Sequence, residues 1–278
     1  MGSFLSNVAK YFNSLNFLAK RIITSLGLLF LGWIIFFYIQ DKLKFEFIIW
    51  IILIIAIYEL LKMFKFKDIV IIFFIFIISI IARIILNINL DKFFSAFGIV
   101  TWCIFLPFLL LFRLPSLKKI YVGLIAFIVF IPAYYAIINI YEIDHLKLVY
   151  ILSIASVLDI CAYFGGKKFG KHKLAIHISP NKTVEGALCG FIGVFIYLTI
   201  LDHFNFLTFQ NTWFKIFNVS LLLSFIGIIG DLFESWLKRI AMVKDSGKIL
   251  PEHGGVYDRI DSMVAIVTVY YALLFGNI

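Results

Sequence analysis

Stretches such as "FIIWIILIIAIY" (47–58) and "IVIIFFIFIISIIA" (69–82) carry no polar face. A helix lying on a water-facing surface needs one, so these runs are excluded from that role. A bilayer span takes roughly 20 apolar residues. Runs of this kind recur along the chain, near 22–39, 45–61, 69–87, 94–112, 120–140, 146–164, 185–201, 217–237 and 260–275. The expected fold is therefore an all-α integral membrane protein with about nine transmembrane helices. The first run follows a polar start and does not end in a small-residue cleavage site, which argues against a removed signal peptide.

Only 15% of the residues are charged, against about 25% in a soluble domain. The formal net charge is +9. No nucleic-acid partner is inferred from it, because the cations sit in short loops between spans. There they report orientation and contact with anionic lipid head groups. With the N-terminus inside, nineteen lysines and arginines fall in inner segments, five in outer ones, and Arg83 lies within a span. This bias places the N-terminus in the cytoplasm, the C-terminus outside, and both long polar loops on the cytoplasmic side. Cys103, Cys161 and Cys189 all fall in apolar segments without metal-ligand spacing, and read as small buried residues.

Charge is concentrated near the end. In Ser235–Asp261, ten of twenty-seven residues are acidic, basic or histidine. Just ahead, in "GDLFESWLKR", Asp231, Glu234, Ser235 and Lys238 stand at i, i+3, i+4 and i+7 and share one helical face. Ionisable groups inside a membrane are expensive and usually face a protein-lined cavity. Snorkelling accounts for Lys238 and Arg239, but not for Asp231, which lies deeper. Further on, Pro251 and Gly254–Gly255 mark a turn ahead of Asp258 and Asp261. A helix cap needs one carboxylate; here there are two, beside Arg259. Asp231 and Asp258 could together hold a hard cation, since Mg²⁺ takes one or two carboxylates plus substrate phosphates.

The other inner loop contains Gly165-x4-Gly170-Lys171, close to a phosphate-binding P-loop. His172 replaces the required Ser or Thr and an apolar helix precedes it, so a looser basic, phosphate-contacting loop is expected. Its candidates are Lys167, Lys171, Ser179 and Lys182, with Asp159 facing the same cavity. Thr183 is expected to cap the helix that follows, and Glu59 lies at the right depth to border the cavity.

The pattern Ser235-x2-Lys238-Arg239-x4-Lys244-Asp245-x-Gly247-x3-Pro251-x-His253-Gly254-Gly255-x2-Asp258-Arg259-x-Asp261 resembles the signature of phosphatidate cytidylyltransferases, also called CDP-diacylglycerol synthases. "FGGKKFGKHKLAIHISPNKTVEG" and "GDLFES" look like the loop and lead-in that precede it, so the resemblance covers roughly residues 155–265. One position departs: Asp159-Ile160-Cys161-Ala162-Tyr163 stands where that family has Asp-Thr/Ser-Gly-Ala-Tyr.

The resemblance implies a membrane enzyme that joins CTP to phosphatidic acid, giving CDP-diacylglycerol and pyrophosphate. It implies Mg²⁺, a second monovalent cation such as K⁺, and a homodimer. It makes Asp231 and Asp258 the metal carboxylates and places Ser235, Lys238, Arg239, Lys244, Asp245, His253, Arg259 and Asp261 in the catalytic signature. Residues 1–145 then form an N-terminal membrane region of about five spans, and 146–278 the catalytic membrane region. An ion-coupled transporter would need an internal repeat and a mid-membrane charge site; the chain has no repeat and its charges lie toward one face. A CTP-dependent enzyme acting on another membrane lipid is the nearer alternative.

Overall fold

A computed structural model of the chain describes residues 17–39, 41–66, 91–112, 119–207, 209, 213–250 and 254–275. The helices are α1 (Phe17–Trp33, continued as a π-helix over Ile34–Tyr38), α2 (Lys42–Met63) and α3 (Asp91–Ile99, passing through π-helical Val100–Phe105 into Leu106–Phe112). They continue with α4 (Lys119–Ile143), α5 (His145–Phe169), α6 (Val184–His203), α7 (Trp213–Ile240) and α8 (Tyr257–Phe275). Short polar side chains start several of them. Asp41 accepts from Lys44 N at 3.0 Å, Asp144 from Leu146 N at 2.9 Å, and Thr183 from Gly186 N at 3.1 Å. Each satisfies an orphan amide of a first turn.

Every expected span falls on a helix except 69–87, which lies outside the described residues. Five helices are long and apolar enough to cross a membrane: Phe93–Leu111, Tyr121–Ile143, His145–Phe169, Val184–His203 and Trp213–Ile240. α2 and α8 are also long, but carry Glu46 and Glu59, and Asp258, Arg259 and Asp261, respectively. On α6, Leu188, Ile192, Ile196 and Ile200 form an exposed apolar stripe at intervals of four. Water would penalise such a face, and a bilayer accepts it. The chain is an integral membrane protein.

The fold is not purely helical. Strands β1 (Lys173–Ala175) and β2 (Ser179–Thr183) pair antiparallel between α5 and α6. In "SPNKTVEG", the first five residues form β2 and the helix starts at Val184. The strand backbone sits at the bundle's edge, where pairing satisfies polar groups that no helix serves.

α8 runs through the centre, with Val264, Ala265, Ile266, Val267, Val269 and Ala272 buried. It packs against α7, α4, α3 and α5. α5 and α6 approach closely where small residues meet. A Cβ at Gly186 would lie 2.8 Å from Ala162 O, and one at Gly193 would overlap Cys161 Sγ. Cys161 therefore fills the space above Gly193, a packing role at the position that departs from the family pattern.

Contacts sort the connecting segments into two ends. At one, Lys42 pairs with Glu142 at 2.8 Å and Tyr141 OH donates to Ile39 O at 2.8 Å. At the other, Lys182 pairs with Asp231 and Arg239 Nε donates to Ile178 O at 3.1 Å. The second end carries the site.

Candidate active site

The end of α7 turns the chain back on itself. Met242 takes a left-handed conformation (φ 56), and Val243 N donates to Lys238 O at 3.0 Å. This closes the helix in the manner of a glycine cap. The loop then narrows where Leu250 N donates to Gly254 O at 3.0 Å. Gly254 has φ 80, a conformation that glycine adopts at no steric cost. The first turn of α8 is thereby delivered beside the last turns of α7. The two helices nearly touch at Gly230, where a Cβ would lie 2.9 Å from Asp261 O.

Two groups of charges result. In the first, Lys238 Nζ bridges Glu234 Oε2 at 2.6 Å and Asp258 Oδ1 at 2.8 Å. Asp258 Oδ2 accepts from Gly255 N at 2.7 Å, Ser246 N at 2.9 Å and Ser246 Oγ at 3.0 Å. Three donors on one oxygen saturate it, so Asp258 can offer a further ligand only its Oδ1. Glu234 is buried and its Oε1 has no hydrogen-bond partner among the described residues.

In the second group, Asp231 pairs with Lys182 from β2 and accepts from Ser235 Oγ at 3.3 Å. Asp261 on α8 and Asp159 on α5 lie within electrostatic range of Asp231, as does Lys182; Arg259 lies within range of Asp159. This group borders a cavity of about 490 Å³ lined in part by Asp159, Lys167, Ser179, Asn181, Lys182 and Asp231. Asp159 also belongs, with Arg259, to an adjoining groove of about 820 Å³ whose walls are mainly apolar side chains of α1, among them Leu28, Trp33 and Phe37. One carboxylate thus stands where a cavity with charged side chains in its wall meets a groove lined mainly by apolar ones.

Of the five phosphate-contact candidates, Asp159, Lys167, Ser179 and Lys182 line the cavity. Lys171 does not; it is exposed, and its N–H donates to Glu185 at 3.0 Å. His172 joins that anchor through Nδ1 at 2.6 Å, a loop-fastening contact. Arg239 holds the β-hairpin, Lys244 and Asp245 are exposed on the fold-back loop, and His253 lies outside the described residues. The contacts of Asp231 and those of Asp258 form separate sets, with Asp261 within electrostatic range of Asp231. Ser246, a hub of the first group, is a residue that reading the sequence missed. A serine in a polar loop carries no periodic signal, and only its position inside the signature hinted at it.

The fold and site define a polytopic helical membrane protein with a charged cavity at one end of its bundle. The model of the Cytidylyltransferase family matches residues 19–276, and the chain belongs to that family. It is 40% identical over 162 residues to a phosphatidate cytidylyltransferase of Bacillus subtilis (strain 168), covering 57% of this chain and 56% of that protein. It is 38% identical over 143 residues to one of Helicobacter pylori (strain ATCC 700392 / 26695), covering 51% and 52%. It is 43% identical over 131 residues to one of Staphylococcus aureus (strain COL), covering 47% and 49%. The chain spans about half the length of the curated relatives it matches.

Proposed function

We propose that the chain is a CTP:phosphatidate cytidylyltransferase, converting CTP and phosphatidic acid into CDP-diacylglycerol and pyrophosphate. The observation that carries this reading is the junction at Asp159. A cavity whose wall carries Lys167, Ser179, Asn181 and Lys182 suits a nucleoside triphosphate, and the groove beside it, lined mainly by apolar side chains, suits acyl chains. Membership of the Cytidylyltransferase family supports the same reaction. The cavity faces the cytoplasm in this proposal, following the lysine and arginine bias. CTP then arrives from water while the lipid enters sideways from the inner leaflet.

A phosphate oxygen of phosphatidic acid forms a bond to the α-phosphorus of CTP. The bond from that phosphorus to the bridging oxygen breaks, and pyrophosphate leaves with the electron pair. Both reactants are anions, so positioning and charge neutralisation dominate the catalysis. Lys182 and Lys167 bind the triphosphate, and Arg259, beside the apolar groove, holds the lipid phosphate. Lys238 keeps Asp258 in place. The lipid phosphate is already largely deprotonated at neutral pH, so no general base is assigned.

The donor chemistry supports Mg²⁺ in this proposal, although no three metal-ligating side chains cluster together among the described residues. Asp231 and Asp261 lie within electrostatic range of each other on adjoining helices, and Asp258 Oδ1 is held by Lys238, which an ion would displace; all three supply hard oxygen donors. Asp231 and Asp258 would hold the ion, with Asp261 beside them. When bound, Mg²⁺ neutralises phosphate oxygens and makes the α-phosphorus more electrophilic. A homodimer and a second, monovalent cation such as K⁺ are carried over from the family resemblance. The test incubates purified protein with labelled CTP, phosphatidic acid and Mg²⁺. A lipid-soluble nucleotide product is expected; its absence would sink the reading, and product from another lipid alone would favour a related CTP-dependent enzyme.

A further inference from the structure

Glu59 on α2 is 1% exposed, far from water for a carboxylate, and lies 187 residues from its nearest polar side-chain partner. Its Oε2 accepts from Tyr257 N at 3.0 Å, in the first turn of α8, and lies 3.3 Å from Ser246 Oγ, whose one proton is shared with Asp258 Oδ2. Ser246 is the same residue that donates twice to Asp258 Oδ2. A continuous path therefore runs from α2 through Ser246 to the Asp258–Lys238 pair.

The glycines of the fold-back loop conform to this carboxylate. A Cβ on Gly247 would overlap Glu59 Oε1, and one on Gly255 would overlap both Ser246 Oγ and Glu59 Oε2. Two glycines of the signature are thus accounted for by the space that Glu59 occupies. A buried carboxylate is costly, and an apolar residue at this position would serve packing alone at less expense.

We propose that Glu59 is a positioning residue for the reaction proposed above: from the N-terminal half of the chain it sets the fold-back of the loop between α7 and α8 and so aims Asp258 at Lys238. It touches neither substrate in this proposal and acts through Ser246 and the amide of Tyr257. The inference rests on the proposed function for its kinetic consequence, though not for its structural one.

The experiment uses the full-length protein in detergent, comparing wild type with Glu59→Ala and Glu59→Gln. Limited trypsin digestion, followed by mass spectrometry, reads cleavage after Lys244 and Lys248, both exposed on the loop. Cleavage after Lys171 and Lys173, in the segment fastened by Glu185, is the internal control. In Glu59→Ala, loop cleavage is expected to rise about tenfold or more, with the control sites unchanged, as for a local opening. The kcat is expected to fall at least about thirtyfold with the KM for CTP within about threefold, the mark of misplaced reacting groups. Glu59→Gln is expected between the two, since its amide oxygen still accepts from Tyr257, and it carries the test if the alanine variant does not fold.

Unchanged loop cleavage would overturn the proposal. So would a change in KM alone, or faster cleavage throughout the chain with normal kcat per folded molecule. A wild type inactive on CTP and phosphatidic acid would refute the proposed reaction. Loop cleavage would then still decide whether Glu59 holds the loop.

Discussion

The two charge groups at the end of the bundle differ in what they leave open. Around Asp258 the protein supplies its own partners: Lys238, Ser246 and Gly255 occupy both oxygens, and Glu59 braces the arrangement from behind. Around Asp231 the described residues supply Lys182 and Ser235, and the carboxylate borders a cavity of about 490 Å³. Both aspartates stand on the helices that flank the same loop, Asp231 nine residues before the end of α7 and Asp258 in the first turn of α8, and residue type does not distinguish them. Their surroundings do. One is braced and shapes the fold-back; the other faces the space that substrates would enter. A site for two anions and a cation needs both kinds, a rigid wall and an open floor.

The largest expected effects separate these roles. Asp231→Asn keeps the shape and removes the charge, and should lower turnover by at least about a hundredfold. The trypsin pattern at Lys244 and Lys248 should stay that of wild type. Asp258→Asn should lose at least about a hundredfold as well, but with faster loop cleavage, because its single amide oxygen cannot serve both Lys238 and Ser246. Identical digestion patterns in the two variants would erase the distinction between braced and open carboxylates.

A smaller effect is expected at the cavity floor. Lys182→Ala should raise the KM for CTP about tenfold, the cost of losing one charge-assisted hydrogen bond. An unchanged KM in steady-state kinetics would remove Lys182 from the triphosphate subsite. The smallest effect is expected away from both groups. Cys161→Gly should keep activity within a few-fold, because Cys161 packs over Gly193 and does not line the cavity. Complete loss of activity in a well-folded variant would show that the α5–α6 seam feeds the site directly.

Much of this was legible in the residues. Apolar runs marked the helices because burial in lipid demands length and continuity, which a sequence displays directly. The shared face of Asp231, Glu234, Ser235 and Lys238 followed from helical spacing, and Thr183 was readable as a cap. Four of five phosphate-contact candidates reached the cavity because Asp159 and Lys167 lie toward the end of α5, and Ser179 and Lys182 on the strand that follows it. What spacing did not supply was partnership across distance. Lys182 meets Asp231 through a β-hairpin that the turn-rich composition concealed. Glu59 reaches Ser246 and Tyr257 from another half of the chain, and no local pattern encodes such a contact.

The central claim is that the braced and the open carboxylates serve one reaction centre. The most direct measurement is a double-mutant cycle on kcat/KM with Asp231→Asn, Asp258→Asn and the combined variant, each shown to be folded. If one shared centre depends on both, the second substitution adds little to the loss caused by the first. Losses that multiply fully in the combined variant would mean that Asp231 and Asp258 act independently, and would contradict the account.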